Sequence, residues 1–305
     1  MLFDIISLGY SAVDYIAVVP RLPEIDTKIL MEDFTRQGGG PAATAAVTAA
    51  RLGGKSAFVG VMGDDDFSEF MLRELGKENV DTSHVVRCPG ASSQFSFIMV
   101  DKTTGKRTIV WTRSDVPPLE TDQLDRDFIS SCKVLHLDRH EPRAGIQAAQ
   151  WVHEAGGIVC MDAGTFVPGL TDLLPLVDVL IASHAFAQDA TGLTDPAECA
   201  RALLDKRRIA GVTWGEKGSW FATSDGAQFH VPAFEVDVID TTGAGDVFHG
   251  AFAFGLAKGW EAERCARFAS AVAALKCTKL GGRAGIPTRN EAEALLAWQT
   301  PDEVL

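Results

Sequence analysis

The sequence predicts an α/β domain built on a central, mostly parallel sheet, and three observations carry that prediction. From Lys55 into the carboxyl third, short β-prone runs alternate with helix-favouring runs, the rhythm of strand–helix crossovers. Two strand pairs, near 13–36 and 94–112, interrupt that rhythm and ask for a small sheet beside the main one. The composition, 46% hydrophobic and 23% charged over 305 residues, is that of a globular chain. That length suits one large domain with a small accessory element, or two modest domains. With no internal repeat, low-complexity tract or domain-length linker, a single unit over 1–305 is expected.

Taken in order, residues 3–9 form an apolar run suited to a buried parallel strand. Residues 13–19 and 28–36 read as strands joined through Pro20-Arg21-Leu22-Pro23. Gly38-Gly39-Gly40 then breaks the chain, and Pro41 opens a helix that runs to Leu52, at the position where a missing N–H costs nothing. Residues 57–62 read as a strand and 67–77 as a helix. Asp64-Asp65-Asp66 could be taken for a metal cluster, but it reads as the cap of that helix, where negative charge is favoured. The strands 94–101 and 107–112 are joined across Lys102-Thr103-Thr104-Gly105. Strands at 134–137, 158–161, 177–182 and 209–214 then alternate with helices at 143–154 and 197–207, and 219–223 with 228–232 suggests a hairpin. The carboxyl third is helical over 247–258, 262–277 and 289–298.

Charge and cysteine usage narrow the function classes. A net charge of -13 and a pI near 5.0 exclude a basic nucleic-acid surface. They also require that any anionic substrate be met by locally placed cations and backbone amides. No apolar run reaches about 18 residues, so no membrane span is predicted. The start, Met1-Leu2-Phe3-Asp4-Ile5-Ile6, lacks the basic region and cleavage site of a signal peptide and reads as a first strand. The six cysteines (88, 132, 160, 199, 265 and 277) are scattered with no close pair, which fits free thiols in a reducing cytoplasm rather than a disulfide framework or a zinc site.

The most informative stretch is Asp240-Thr241-Thr242-Gly243-Ala244-Gly245-Asp246. β-prone residues precede it over 229–239, and a proline-free run rich in Ala and Phe follows over 247–256, so it reads as strand, glycine turn, helix. The first turn of a helix has amides without intrahelical partners and carries partial positive charge, and glycines let an anion approach them. A carboxylate would repel a phosphate there. Its chemical use would be to take a proton from a hydroxyl that attacks the phosphate. An isolated G-x-G-D is more often a plain helix start, since the dipole alone favours Asp in a first turn.

Three other stretches carry similar weight. Gly38-Gly39-Gly40-Pro41-Ala42-Ala43-Thr44, with Arg51-Leu52-Gly53, is either a ligand-lining turn or a plain helix start after a strand. Asp14 lies in the apolar run Val13-Asp14-Tyr15-Ile16, just past the first strand, where α/β folds bind ligands; a charge there needs a partner or a surface-facing side. Val212-Thr213-Trp214-Gly215-Glu216-Lys217-Gly218 follows a strand, but a bare G-x-x-G is commonly a β-turn. No Walker motif is present. His249, one helical turn after Asp246, reads as a packing residue.

Together these stretches resemble the PfkB (ribokinase-like) family of carbohydrate kinases over nearly the whole chain. The resemblance implies a three-layer ribokinase-like domain with a β-sheet lid formed by about 11–37 and 92–115. It implies ATP-dependent phosphorylation of a hydroxyl of a ketose-type sugar, with Asp246 as the base and the amides of Gly243, Ala244 and Gly245 as the anion hole. Asp14, Gly39, Gly40 and Thr44 would line the sugar site, Thr44 standing where the family commonly has Asn. Thr213, Gly215 and Gly218 would meet the nucleotide. Ser183-His184-Ala185-Phe186 stands where many members carry Asn-x-x-Glu; Ser183 could serve the metal shell only weakly, so Mg2+ would be held chiefly by ATP phosphates and water. Asp240, Thr242, Lys279, Gly281 and Gly285 correspond to the family's monovalent-cation loop, which adds K+. Exposed lid strands suggest a homodimer.

Within the family the chain looks most like the 6-deoxy-6-sulfofructose kinase branch, through 38–47, 236–250 and 273–287. A sulfonate tail asks for cations, and Lys28, in a lid strand, and Arg139, past the strand at 134–137, are the candidates. Both could equally be solvated surface charges, and Trp111 stands where a polar tail-binding residue is expected. The alternatives are a fructokinase, a 2-keto-3-deoxygluconate kinase or a nucleoside kinase of the same fold, and, from another class, a non-catalytic sugar-binding protein.

Overall fold

A computed structural model describes residues 1–165 and 170–299; of the expected 1–305 unit, 166–169 and 300–305 lie outside the described residues. In chain order the elements are β1 (Phe3–Leu8), β2 (Ala12–Val19), β3 (Asp33–Gly39), α1 (Pro41–Arg51), β4 (Ser56–Val59), β5 (Val61–Gly63), α2 (Asp66–Lys77), β6 (Val86–Cys88), β7 (Phe95–Asp101) and β8 (Arg107–Thr112). There follow α3 (Arg126–Ile129), β9 (Cys132–Leu137), α4 (Pro142–Glu154), β10 (Ile158–Ala163), β11 (Val179–Ser183), α5 (His184–Thr191), α6 (Pro196–Leu204) and β12 (Ile209–Thr213). The chain continues with β13 (Ser219–Thr223), β14 (Gln228–Val231), α7 (Ala244–Ala257), α8 (Ala262–Lys276) and α9 (Arg289–Gln299).

Eight strands form the central sheet in the order β14-β13-β12-β11-β10-β9-β1-β4, parallel from β12 to β4, with β13 antiparallel to both its neighbours. Apolar side chains alternate between its two faces. Ile5, Val134, Cys160 and Ile181 pack with α1, α7 and α8, while Ile6, Leu135, Val159 and Leu180 pack with α4, α5 and α6. That is the expected three-layer arrangement. Four strands, β3-β2-β7-β8, form a separate sheet from both segments that interrupted the alternation.

Pairing places the side chains of the small sheet. The row Gln37–Asp14–Ser96–Trp111 lies on one face, with Thr35–Ile16–Ile98–Ile109 and Asp33–Val18–Val100–Arg107 beside it. Ile16, Ile98 and Val100 on that face are buried against Leu280, so it is turned toward the main domain. The opposite face carries Tyr15, Phe34, Phe97 and Val110, of which Phe34, Phe97 and Val110 are exposed.

Helix α7 is held by burial rather than by local preference. Its three glycines, 245, 250 and 255, each cost about 1 kcal/mol of helix propensity. Phe248, Phe252 and Phe254 are buried and return about 2 kcal/mol each. Gly250 also has a packing reason: a Cβ there would meet the Ala45 carbonyl oxygen at 2.6 Å, so only glycine lets α7 cross α1 this closely.

Several expectations are corrected. The strand expected over 229–239 ends at Val231, because Pro232 has no N–H for the ladder and no strand lies beyond. The chain then runs on as coil, and the amides of Ile239 and Asp240 donate to the Cys277 carbonyl at the end of α8. Lys28 is not in a strand. β3 starts at Asp33, and Lys28 sits exposed in the connection from β2. The strand expected at 57–62 splits at Gly60, so that β5 leaves the main sheet to pair with β6. Helix α5 follows β11 directly, capped by Ser183, where no helix was expected.

Candidate active site

The candidate residues gather at the carboxyl edge of the parallel strands. Asp138 and Arg139 follow β9, Asp162 lies near the end of β10, and Ser183 and Thr213 end β11 and β12. Helix α7 begins there, with Gly243 as its N-cap at φ 72°, Ala244 and Gly245 next, and Asp246 in the first turn. Asp246 is half-buried and Gly245 exposed, and a Cβ built on Gly245 meets nothing within 4 Å. Open space therefore faces the helix start, where the 14-residue helix concentrates about half a positive charge.

The amides in this turn are not equivalent. Ala244 donates to the Thr241 carbonyl at 3.2 Å, closing the turn. The amides of Gly243, Gly245 and Asp246 find no acceptor among the described residues. Of the expected Gly-Ala-Gly amides, those of Gly243 and Gly245 are thus free to meet an anion, with that of Asp246 beside them, while that of Ala244 is used in the turn.

Asp246 is pushed up to about 7, first by desolvation and then by the carboxylate of Asp162, against the lowering influence of Arg107 and Arg283. Asp162 is itself pushed up to about 7 by burial and by Asp138, with Arg139 pulling it back. Its Oδ1 lies 3.2 Å from His249 Nε2, and burial holds His249 down near 3, so the imidazole is neutral. His249 is buried as expected, but it also steers Asp162.

Asp14, on β2, is 7% exposed and accepts a short hydrogen bond from Ser96 Oγ. Burial pushes it up to about 6; Ser96 and Arg283 lower it, and Asp246 and Asp240 raise it. Gly39 exists to make room for it: a Cβ there would come within 1.9 Å of the Asp14 carboxylate. Gly40, at φ 89°, turns the chain from β3 into α1 in a conformation that favours glycine, and a Cβ would strike the Tyr10 carbonyl oxygen at 2.6 Å. Thr44 is buried, and its Oγ1 accepts from Arg283 Nε at 3.2 Å.

Besides Asp162, three residues that the sequence did not single out organise this site. Buried Arg283 donates to the Gly39 carbonyl at 2.8 Å and to Thr44, and its charge acts on both Asp14 and Asp246. Its own backbone is pinned by Arg51, which donates to the Arg283 and Ile286 carbonyls while paired with Glu78. Asp138 accepts from the amides of Tyr10, Ala42 and His140, tying together the ends of β1 and β9 and the start of α1. Arg107, from β8, donates to Thr241 Oγ1 at 3.2 Å, beside the β7–β8 turn whose Gly105 carbonyl accepts from Thr241. Asp138 and Asp162 each stand at the end of an apolar strand, a signal that could have found them. Arg283, in an irregular turn after α8, offers no such pattern.

The remaining expectations fall out unevenly. Arg139 lies beside Asp162 and Gly164 at the strand ends. Thr213 Oγ1 donates to the Ala182 carbonyl at 3.3 Å, and Gly215 to Lys217 form a single 3-10 turn that Gly218 closes at φ 88°. Both faces of Trp214 in that turn are occupied, by the His184 ring at 3.8 Å and by Lys217 Nζ at 3.5 Å. Ser183 Oγ donates to the Gly164 carbonyl and caps α5 through the Phe186 amide, while Phe186 is in the core. Phe186 offers a metal ion no ligand, and the Ser183 hydroxyl keeps a single acceptor position.

The Asp240 loop is closed by internal bonds. The carboxylate of Asp240 accepts from the Thr242 amide at 2.8 Å, Thr242 Oγ1 at 2.7 Å and the Gly281 amide at 2.7 Å. Its carbonyl accepts from Lys276 Nζ at 2.8 Å. Lys279, in contrast, is exposed, and Gly285 is buried with the Lys276 carbonyl oxygen 2.2 Å from where its Cβ would be.

The profile described as "pfkB family carbohydrate kinase" matches residues 3–289. A ribokinase of Haemophilus influenzae is 28% identical, the match covering 93% of this chain and 95% of the relative. Probable fructokinase-3 of Arabidopsis thaliana is 29% identical over 96% of this chain and 91% of its own. A putative ribokinase from Agrobacterium tumefaciens superimposes with a TM-score of 0.92 at 28% identity, covering 98% of this chain and 99% of that one. The Arabidopsis thaliana ribokinase complexed with ribose and ATP gives 0.83 at 25% identity, covering 97% and 99%.

Proposed function

This chain belongs to the pfkB family of carbohydrate kinases and is an ATP-dependent carbohydrate kinase; on that premise we propose that it phosphorylates a hydroxyl of a ketose-type sugar, with Asp246 as general base. The observation that carries the reading is the convergence of two raised carboxyl groups on one arginine. Asp14 from the small sheet and Asp246 from the start of α7 both feel Arg283, and Asp246 helps raise Asp14. A sugar diol bonded to Asp14 would present a hydroxyl toward Asp246. Asp246, poised near 7, takes the proton as the hydroxyl oxygen attacks the γ-phosphorus and the bond to the ADP oxygen breaks. The free amides of Gly243 and Gly245 then face the charge on the transferred group.

The nucleotide lies, in this reading, along Thr213, Gly215 and Gly218. Magnesium, which neutralises phosphate charge when bound, would be held chiefly by the ATP phosphates and their water shell, since Phe186 is in the core and the Ser183 hydroxyl keeps only one acceptor position. The small sheet acts as the lid: its Gln37–Asp14–Ser96–Trp111 face is turned inward, and Trp111, half-exposed, offers a sugar an apolar platform. Its outer face, with exposed Phe34, Phe97 and Val110, supports a homodimer through paired lids. All six thiols are free, which supports a reducing cytoplasm.

Within the ketoses, the likeness to sulfofructose kinases over 38–47, 236–250 and 273–287 supports 6-deoxy-6-sulfofructose, and Arg139 at the strand ends is the cation available to its tail. The fructokinase relatives support the neutral sugar. ADP release measured over fructose, sulfofructose, 2-keto-3-deoxygluconate, ribose and adenosine, with the product mass determined, tests the reading. A ketose turned over in preference, as its monophosphate, is expected; preference for ribose or adenosine would overturn the ketose assignment.

A further inference from the structure

The loop that the family resemblance assigns to potassium is already filled by this chain's own cation. Lys276, in the last turn of α8, is 0% exposed, and its ammonium donates to the Asp240 carbonyl, within the loop that the resemblance assigns to the ion. The Asp240 carboxylate is largely taken up as well, its oxygens accepting from Thr242 N, Thr242 Oγ1 and Gly281 N. Gly285 packs so tightly on the Lys276 backbone that a Cβ would come within 2.2 Å of its carbonyl oxygen. An alkali ion sharing the Asp240 carbonyl would also sit against a like charge with little water to screen it.

We propose that Lys276 is a tethered replacement for the monovalent cation, so that the enzyme neither binds nor needs potassium at this loop. The proposal rests on the kinase reading above. The ammonium fixes the Asp240 carbonyl, and through it the orientation of the turn that presents Gly243, Gly245 and Asp246. Lys276 is thus a positioning residue, supplied by a four-carbon stem whose burial along α8 removes the cost of capturing a free ion. Two further bonds, from Ile239 N and Asp240 N to the Cys277 carbonyl, tie the same α8 terminus to the start of the turn.

The test compares protein in tetramethylammonium chloride with protein in potassium chloride at equal ionic strength. For the wild type, kcat, the KM for ATP and the melting temperature are expected to be the same in both salts. Lys276→Met should lose turnover in tetramethylammonium and regain part of it in potassium or ammonium chloride, with a melting temperature that now rises with either ion. A merely structural lysine would not show rescue by a small cation. Activation or thermal stabilisation of the wild type by potassium would overturn the proposal, as would a Lys276→Met enzyme fully active without potassium. If Lys276→Met does not fold, the wild-type comparison still decides. If no sugar is phosphorylated in either salt, the kinase reading fails while the melting comparison remains a test of the cation site.

Discussion

In the proposed reading, the groups that would face the phosphoryl at one end of the site are backbone amides and one carboxylate, fixed by bonds that are themselves buried. Asp240, Thr242, Gly281 and Lys276 lock the turn before α7, and three buried phenylalanines lock the helix behind it. At the other end, the acceptor would meet side chains on a small sheet and its connections. Asp14, Ser96, Gly39 and Thr44 are buried and bonded there, whereas Trp111 is half-exposed and Lys28 sits in an exposed connection. On that reading the first end is built of backbone that many acceptors could share, and the second is a side-chain surface that would choose among them. Arg283 joins the two, bonded to Gly39 and Thr44 and electrically felt by Asp246.

Removing the joint should have the largest effect on both ends. Arg283→Met leaves the Gly39 carbonyl, Thr44 and two carboxyl groups without their buried cation, and should cost roughly 3 kcal/mol of stability. It should also raise the KM for sugar and lower kcat together. Urea unfolding and steady-state kinetics check both; a change in KM alone would mean that the two ends are not coupled through Arg283.

The pH dependence isolates the transfer end. Asp246 must be ionised to accept a proton, and its raised value places the acid limb of kcat/KM near 7, with activity rising as pH rises through it. Asp162 is one cause of that elevation, so Asp162→Asn removes a repelling charge, lowers the Asp246 value and extends activity to lower pH. An acid limb unmoved in Asp162→Asn would separate the two carboxyl groups.

This division also explains what was legible in the sequence. The heptad, the Gly38-Gly39-Gly40 turn and Asp14 could be read because glycines needed for close approach, and an acid within an apolar strand, leave local marks. The core strands were legible from apolar runs, but the strand expected through 239 stops at Val231, because a β-prone run does not supply a partner strand. Arg283 and Lys276 act across more than 30 residues of chain, on Gly39 and Asp240, and no local pattern announces such a bond. The placement of Lys28 failed for the same reason: exposed connections are not held by periodicity.

Smaller effects should appear at the acceptor end. Sugar binding should raise hydrogen-exchange protection over 92–115, since closure of the inward face excludes water; unchanged protection would leave the small sheet a fixed wall. Arg139→Ala should raise the KM for sulfofructose several-fold, the scale of one partly exposed charge contact, and leave that for fructose nearly unchanged. Equal effects on both sugars would assign Arg139 to Asp162 rather than to the tail.

The central claim, that a carboxylate at the start of α7 takes the proton while the backbone around it holds the phosphoryl, is tested most directly by Asp246→Asn. Calorimetric titration of ATP and single-turnover phosphorylation of the preferred ketose should be measured on the same preparation. The account predicts an unchanged Kd for ATP with turnover lowered by ~10²-fold or more. Near-normal turnover in Asp246→Asn would contradict it.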